Sequence, residues 1–186
     1  MRSLAVVVVL VPSLAAARPA ARGVSAEAGL GAGGVIGADA AWVQPGPALT
    51  LRVGYDLWSW LTVGVAAAAS THEATVPAPP VGEYLQLYRG RADARLTARL
   101  DAVALYLEGG AGAAMMSSNV LAKVGVVEPG QRFSPVLAGG GGLEYQLQNR
   151  HYAVGLGGEY WVAPSFTGLQ GVEVRAFLRY TYGGSR

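Results

Sequence analysis

The stretch that decides the fold is YRGRADARLTARL, from Tyr88 to Leu100. It places arginine at positions 89, 91, 95 and 99 and aspartate at 93, in a chain with only 14% charged residues. Positions 91, 95 and 99 are also spaced by four, and the run has good helix propensity, so a helix competes with a strand. A strand is favoured because Arg89 and Asp93 join the same odd-numbered face, which leaves small and apolar residues on the other.

Segments on either side alternate in the same way. In ALTLRVGYDL, residues 48–57, the positions from Leu49 to Leu57 on one face are apolar or aromatic, and Arg52 and Asp56 lie on the other. The segment GVEVRAFLRYTY, residues 171–182, separates its charged residues from valine, leucine and tyrosine by the same rule. A period of two over about ten residues is typical of a β-strand between a polar and an apolar environment.

The chain contains eight such segments, and the connections between them alternate in length. We predict strands over residues 24–35, 48–57, 60–70, 84–99, 102–116, 135–147, 151–162 and 171–182. Short connections fall at 58–59, 100–101 and 148–150, and long ones at 36–47, 71–83, 117–134 and 163–170. Transmembrane β-barrels have this alternation, with tight periplasmic turns and longer extracellular loops.

Composition excludes several classes of protein. Hydrophobic residues make up 52% of the 186 residues. After the N-terminus, however, no run supplies the roughly 18 uninterrupted apolar residues that a spanning helix needs. The formal charge of +2 is too small to indicate nucleic acid as a partner. Cysteine is absent, which excludes disulfides, thiolate metal sites, a cysteine nucleophile and a lipid-modified cysteine.

The N-terminus has the pattern of an export signal. Met1 to Ser3 is a short cationic start, Leu4 to Leu14 is an apolar run, and Ala15 to Ala17 supplies small residues for cleavage. We predict a signal peptide over residues 1–17 and a barrel domain over residues 18–186.

The charged residues of the predicted strands all lie opposite the more apolar face of their own strand. They are Glu27, Arg52, Asp56, Arg89, Arg91, Asp93, Arg95, Arg99, Glu108, Glu144, Glu159, Glu173, Arg175 and Arg179. An arginine facing lipid at mid-bilayer costs about 2 to 4 kcal/mol, so these charges are expected to face the lumen. An eight-stranded lumen is narrow, so we expect the charges to pair, fill the lumen and leave no open aqueous pore.

These features resemble the small eight-stranded outer-membrane barrels of Gram-negative bacteria, of the OmpA-like transmembrane type. The aromatic ending Tyr180-Thr181-Tyr182 is similar to the terminal strand signal that such proteins show to their assembly machinery, although Gly183 to Arg186 follow it. The resemblance implies an all-β, antiparallel, up-and-down transmembrane β-barrel in the outer membrane. It also implies contact with outer-membrane lipid and with the assembly machinery, and a monomeric state.

Function is less determined than fold, because many roles share this architecture. The leading hypothesis is a non-enzymatic barrel that contributes to envelope integrity and presents its long loops for adhesion or partner binding. Ser70, His72 and Glu73 are candidates for a lipid-modifying hydrolase. A narrow channel and a secreted lipocalin-like carrier are further alternatives. The glycine-rich stretches at 31–34 and 139–144 lack the lysine and the strand-to-helix turn of a phosphate loop, so we expect no phosphate-binding cofactor there. We expect no other cofactor and no metal.

Overall fold

Eight β-strands form a closed barrel in the described part of the chain. The computed structural model describes residues 22–75, 83–117, 120–124 and 127–183. The strands are β1 Val24–Val35, β2 Gly46–Trp58, β3 Leu61–Glu73, β4 Tyr84–Leu100, β5 Val103–Met116, β6 Phe133–Gln146, β7 Tyr152–Ala163 and β8 Leu169–Tyr182. Each strand pairs antiparallel with its neighbours in sequence, and β8 pairs with β1 to close the barrel. The predicted signal peptide lies outside the described residues.

The barrel is apolar outside and charged inside, as the alternation predicts. Leu49, Leu51 and Val53 of β2 are exposed on the outer wall, and Thr50 and Arg52 between them are buried. The stretch from Tyr88 to Leu100 is strand rather than helix, and the burial of Arg89, Arg91 and Arg95 on its inner face confirms the strand interpretation. Within the described residues, none of the helices has the length and apolar character needed to cross a bilayer.

The strand boundaries correct several predicted ends by up to three residues. Strands β2, β3 and β8 extend further towards the outer side than predicted. The last outer connection therefore spans only residues 164–168, and the expectation of a long loop at 163–170 is wrong. Thr167 and Gly168 have φ values of 52° and 80°, which allows the chain to reverse in a tight turn there.

The first outer connection folds onto the end of β3. It contains a 3₁₀ helix over Gly37–Ala41, and its Val43 forms an isolated antiparallel bridge with Ala74. The amide of Gln44 donates to the Glu73 carbonyl at 2.9 Å, and the amide of Thr75 donates to the Trp42 carbonyl at 2.9 Å. This connection is therefore an ordered extension of the barrel wall.

The outer end of the interior is filled by apolar side chains, which we call the apolar cap. Its members are Val35, Val43, Leu85, Leu87, Ala114, Met116, Leu121, Val127, Val136, Trp161, Ala163, Phe166 and Leu169. Strand ends supply most of them, and the outer connections supply Val43, Leu121, Val127 and Phe166. The sequence analysis did not predict this cap, because it assigned the whole interior face to charged residues.

Candidate functional site

The fourteen charged residues that the sequence places on the inner face come together in the lumen, and we call them the lumen network. Seven of the eight strands contribute to it, β3 being the exception. Each member forms at least one ion pair with another member. Thirteen of the side chains are almost fully buried. Arg99, with 30% of its side chain exposed, lies at the end that carries the short turns, which the sequence analysis assigns to the periplasm and which we call the periplasmic end.

Arg95 lies at the centre of the lumen network, with a side chain that is 0% exposed. It donates to both carboxylate oxygens of Glu27 at 2.7 and 3.0 Å, and to Oε2 of Glu108 at 3.0 and 2.8 Å. Its guanidinium also lies 4.2 Å from the centroid of the Tyr106 ring. The planar fork of arginine suits this position, because it satisfies two carboxylates and packs on an aromatic face at once.

Above this centre, three arginines share one acidic partner. Glu159 accepts from Arg89 at 2.9 Å, lies 2.7 Å from Arg91 and accepts from Arg175 at 3.3 Å. Arg175 also donates to Glu108, which links this layer to the centre. Shared partners of this kind turn separate ion pairs into one continuous network.

Two further groups of ion pairs flank the centre. Arg52 of β2 donates to Asp93 of β4 from Nε and Nη2 at 3.0 and 2.8 Å, across the inner face of the intervening strand β3. Towards the periplasmic end, Arg179 donates to Asp56 at 3.1 Å and to Glu144 at 3.2 Å. The network thus extends from the apolar cap to the periplasmic turns.

The lumen network leaves the interior neutral and filled. Seven arginines face seven carboxylates, so their formal charges cancel. Among the described residues, no group of three or more His, Asp or Glu is placed to hold a metal ion. The arrangement therefore occupies the inside of the wall with paired charges and no net formal charge.

Large aromatic residues complete the filling, and the sequence analysis missed their role. Trp161 lies directly opposite Gly171, and Phe177 lies directly opposite Gly155, across the β7–β8 pair. A Cβ atom at either glycine would overlap the facing aromatic ring. Glycine opposite an inward aromatic residue was the signal that could have identified these positions.

Ser70 and His72 meet at the outer end of β3. His72 Nε2 lies 2.9 Å from Ser70 Oγ, and His72 Nδ1 lies 3.1 Å from the Gln44 carbonyl oxygen. A carbonyl oxygen only accepts, so Nδ1 carries the proton, and in the neutral ring Nε2 accepts from the Ser70 hydroxyl. Both side chains point inward and are 6% and 1% exposed. Glu73 lies on the outer face, so the structure does not bring it to this pair.

Aromatic residues mark both ends of the outer wall. Tyr88 and Tyr160 lie towards the outer end, and Tyr152 and Tyr180 towards the periplasmic end, and all four are exposed. Trp58 and Trp60, which the sequence analysis did not assign, stack at 5.3 Å beside the first periplasmic turn. Such belts are typical of the two membrane–water interfaces.

Solved structures of outer-membrane proteins have the same fold. Neisserial surface protein A matches with a TM-score of 0.66 and 18% identity, covering 87% of this chain and 99% of that chain. The outer membrane protein OprG of Pseudomonas aeruginosa matches with a TM-score of 0.61 and 15% identity, covering 89% and 99%. The N-terminal β-barrel domain of Pseudomonas aeruginosa OprF matches with a TM-score of 0.53 and 8% identity, covering 86% of this chain and 99% of that chain.

No protein-family model and no curated protein matches the chain. The shared architecture, the apolar outer wall and the buried charge pairs lead to one conclusion: the chain has the fold of the small eight-stranded outer-membrane β-barrels.

Proposed function

We propose that this protein is a non-enzymatic outer-membrane barrel that contributes to envelope integrity and presents its outer connections for adhesion or partner binding. In this proposal a signal peptide exports the chain, the assembly machinery inserts it, and it resides as a monomer among outer-membrane lipids. The apolar outer wall and its aromatic belts support the location.

The single observation that carries the proposal is the double closure of the interior. The lumen network fills the middle and lower lumen, and the apolar cap fills the outer end. A lumen packed with side chains in this way is not expected to transport solutes, so a function on the surface connections is favoured. The lipocalin-like alternative requires an apolar interior and a charged exterior, and the observed orientation is the reverse.

Conductance in planar lipid bilayers tests the closed lumen. Faster migration of the unboiled sample than of the boiled sample in electrophoresis first establishes that the purified protein is folded. We then expect the folded protein to give no discrete conductance steps. A folded porin reconstituted in parallel is the positive control. Reproducible channel openings would contradict the proposal and favour the narrow channel.

Complementation of a deletion strain tests the role of the outer connections. Full-length protein is compared with variants in which residues 37–42 or 128–132 are replaced by glycine and serine. We expect each folded variant to restore resistance of the envelope to detergent but to lose binding of surfaces or partner proteins. Equal binding by all variants would contradict a role for these connections.

One observation favours a second candidate, a lipid-modifying hydrolase. The Ser70 hydroxyl donates to a histidine whose other nitrogen is held by a carbonyl, which is the polarity that a serine nucleophile needs. Hydrolysis of outer-membrane lipids by the wild-type protein, lost in both Ser70→Ala and His72→Ala, would support this candidate. The burial of both side chains argues for the non-enzymatic function.

A further inference from the structure

His72 is a buried titratable residue that the proposed function does not use. It ties β3 to the first outer connection, because its Nδ1–H donates to the Gln44 carbonyl at 3.1 Å. That connection also carries Val43, a member of the apolar cap. His72 therefore lies where the first outer connection joins the wall and closes the mouth of the barrel.

The surroundings of the ring suit its neutral form. His72 is 1% exposed, and its second nitrogen is already satisfied by the Ser70 hydroxyl. The charged groups that act on the ring are Arg89 of β4 and Glu173 of β8. Glu173 is engaged by Arg89 and by Thr50, whose Oγ1 donates to it at 2.7 Å. An imidazolium in the closed structure would therefore lack water and face an arginine.

We propose that His72 is an acid-sensitive latch, which holds residues 36–45 over the barrel mouth at neutral pH and releases them when its ring is protonated. The hydrogen bond to Gln44 survives protonation, so release does not come from losing that bond. It comes from the free energy of holding a charged ring away from water, which opening removes. Release exposes the part of the apolar cap around Val43.

The sign of the pH dependence follows from proton binding. The closed form holds the neutral ring, and in the open form the ring meets water and titrates near the ordinary histidine value of about 6.5. Opening therefore takes up one proton below that pH. The ratio of open to closed molecules then rises by up to about tenfold for each unit that the pH falls, until the closed form itself takes up the proton.

Amide hydrogen exchange of the folded protein in lipid nanodiscs tests the latch. The amides of Gln44 and Thr75 donate across the junction between the connection and β3, and the amide of Thr97, which donates to the Trp60 carbonyl, reports on the periplasmic end. Each rate is divided by that of an unstructured peptide at the same pH. From pH 6.5 to 5 we expect protection at Gln44 and Thr75 to fall several-fold or more, with Thr97 unchanged.

The chain provides a matched control, because its two histidines are His72 and His151. His72→Gln and His72→Phe, two variants of different polarity, are expected to remove the pH dependence, and His151→Gln is expected to keep it. Electrophoretic mobility of unboiled samples confirms that each variant is folded. The latch would be overturned if protection of the Gln44 and Thr75 amides in the wild-type protein did not change with pH. It would also be overturned if a folded His72 variant kept the wild-type pH dependence. Either result leaves the conductance test of the proposed function unaffected.

Discussion

Arg89 donates to two carboxylates that lie directly opposite each other, Glu159 on β7 and Glu173 on β8. Like charges in opposite positions of an antiparallel pair are destabilising. The guanidinium converts this repulsion into a bridge, since each carboxylate receives a different nitrogen. It also packs 5.0 Å from the Trp161 ring centroid, beneath the apolar cap.

Replacing Arg89 by glutamine should therefore be strongly destabilising. Breaking a buried ion pair by removing one partner costs about 3 to 5 kcal/mol, because the remaining charges stay buried without compensation. The free energy of unfolding in urea, measured in lipid vesicles, checks this value. The double variant Arg89→Gln/Glu159→Gln should recover a large part of the loss. A double variant no more stable than the single one would show that the opposed carboxylates are not the cause.

Replacing Arg95 by lysine keeps the charge but removes the fork. A single ammonium group does not reproduce four hydrogen bonds to Glu27 and Glu108, so we expect a loss of about 1.5 to 3 kcal/mol in the free energy of unfolding. Arg99→Lys is the matched control, because that side chain is 30% exposed and lies 3.7 Å from Glu144. Its loss should stay below about 1 kcal/mol. Equal losses at both positions would contradict the central role of Arg95.

The glycines that face aromatic rings should resist even the smallest substitution. Gly155→Ala and Gly171→Ala each place a methyl group against Phe177 or Trp161, and overpacking of this kind costs about 1 to 3 kcal/mol. Gly90→Ala is the control, because a Cβ there meets nothing within 4 Å among the described residues. Unfolding titrations of the three variants should show a loss at 155 and 171 and a change within about 0.5 kcal/mol at 90.

A charge on the outer wall should be costly only at mid-membrane. Leu156 lies midway between Tyr152 and Tyr160 on β7, and Leu100 lies at the periplasmic end of β4, with exposures of 60% and 66%. We expect Leu156→Arg to lose about 2 to 4 kcal/mol in bilayer unfolding and Leu100→Arg about 0 to 1 kcal/mol. Similar losses at the two positions would be inconsistent with a membrane centred on Leu156.

The sequence was sufficient for strand number, pairing order and the inward direction of the charges. Strand number and the inward direction of the charges follow from a side-chain period of two, which a charge such as Asp93 or Arg175 makes visible even in an alanine-rich strand. The pairing order follows from the alternation of short and long connections. The sequence did not show which arginine pairs with which carboxylate in the lumen. Arg52 pairs with Asp93 of β4 rather than with an adjacent strand, and such pairing depends on barrel curvature and on strand tilt.

The apolar cap was missed for a related reason. Leu85 and Leu87 share the inner face with Arg89 and Arg91, so the face changes from apolar to charged along a single strand. A rule that assigns the apolar face to lipid gives no sign of that change. The contact between His72 and Gln44 was equally hidden, because it depends on the path of the first outer connection.

The arginines of β4 also bear on how the barrel assembles. These four arginines find their acidic partners on strands as far apart in the chain as β1, which supplies Glu27, and β8, which supplies Glu173. An insertion intermediate whose first and last strands have not yet met lacks part of this compensation, because Arg95 then keeps Glu108 of the adjacent strand but does not reach Glu27 of β1. Pairing of β1 with β8 and completion of the ion pairs in the lumen should therefore occur in one cooperative step. Partly closed forms of the barrel should be short-lived.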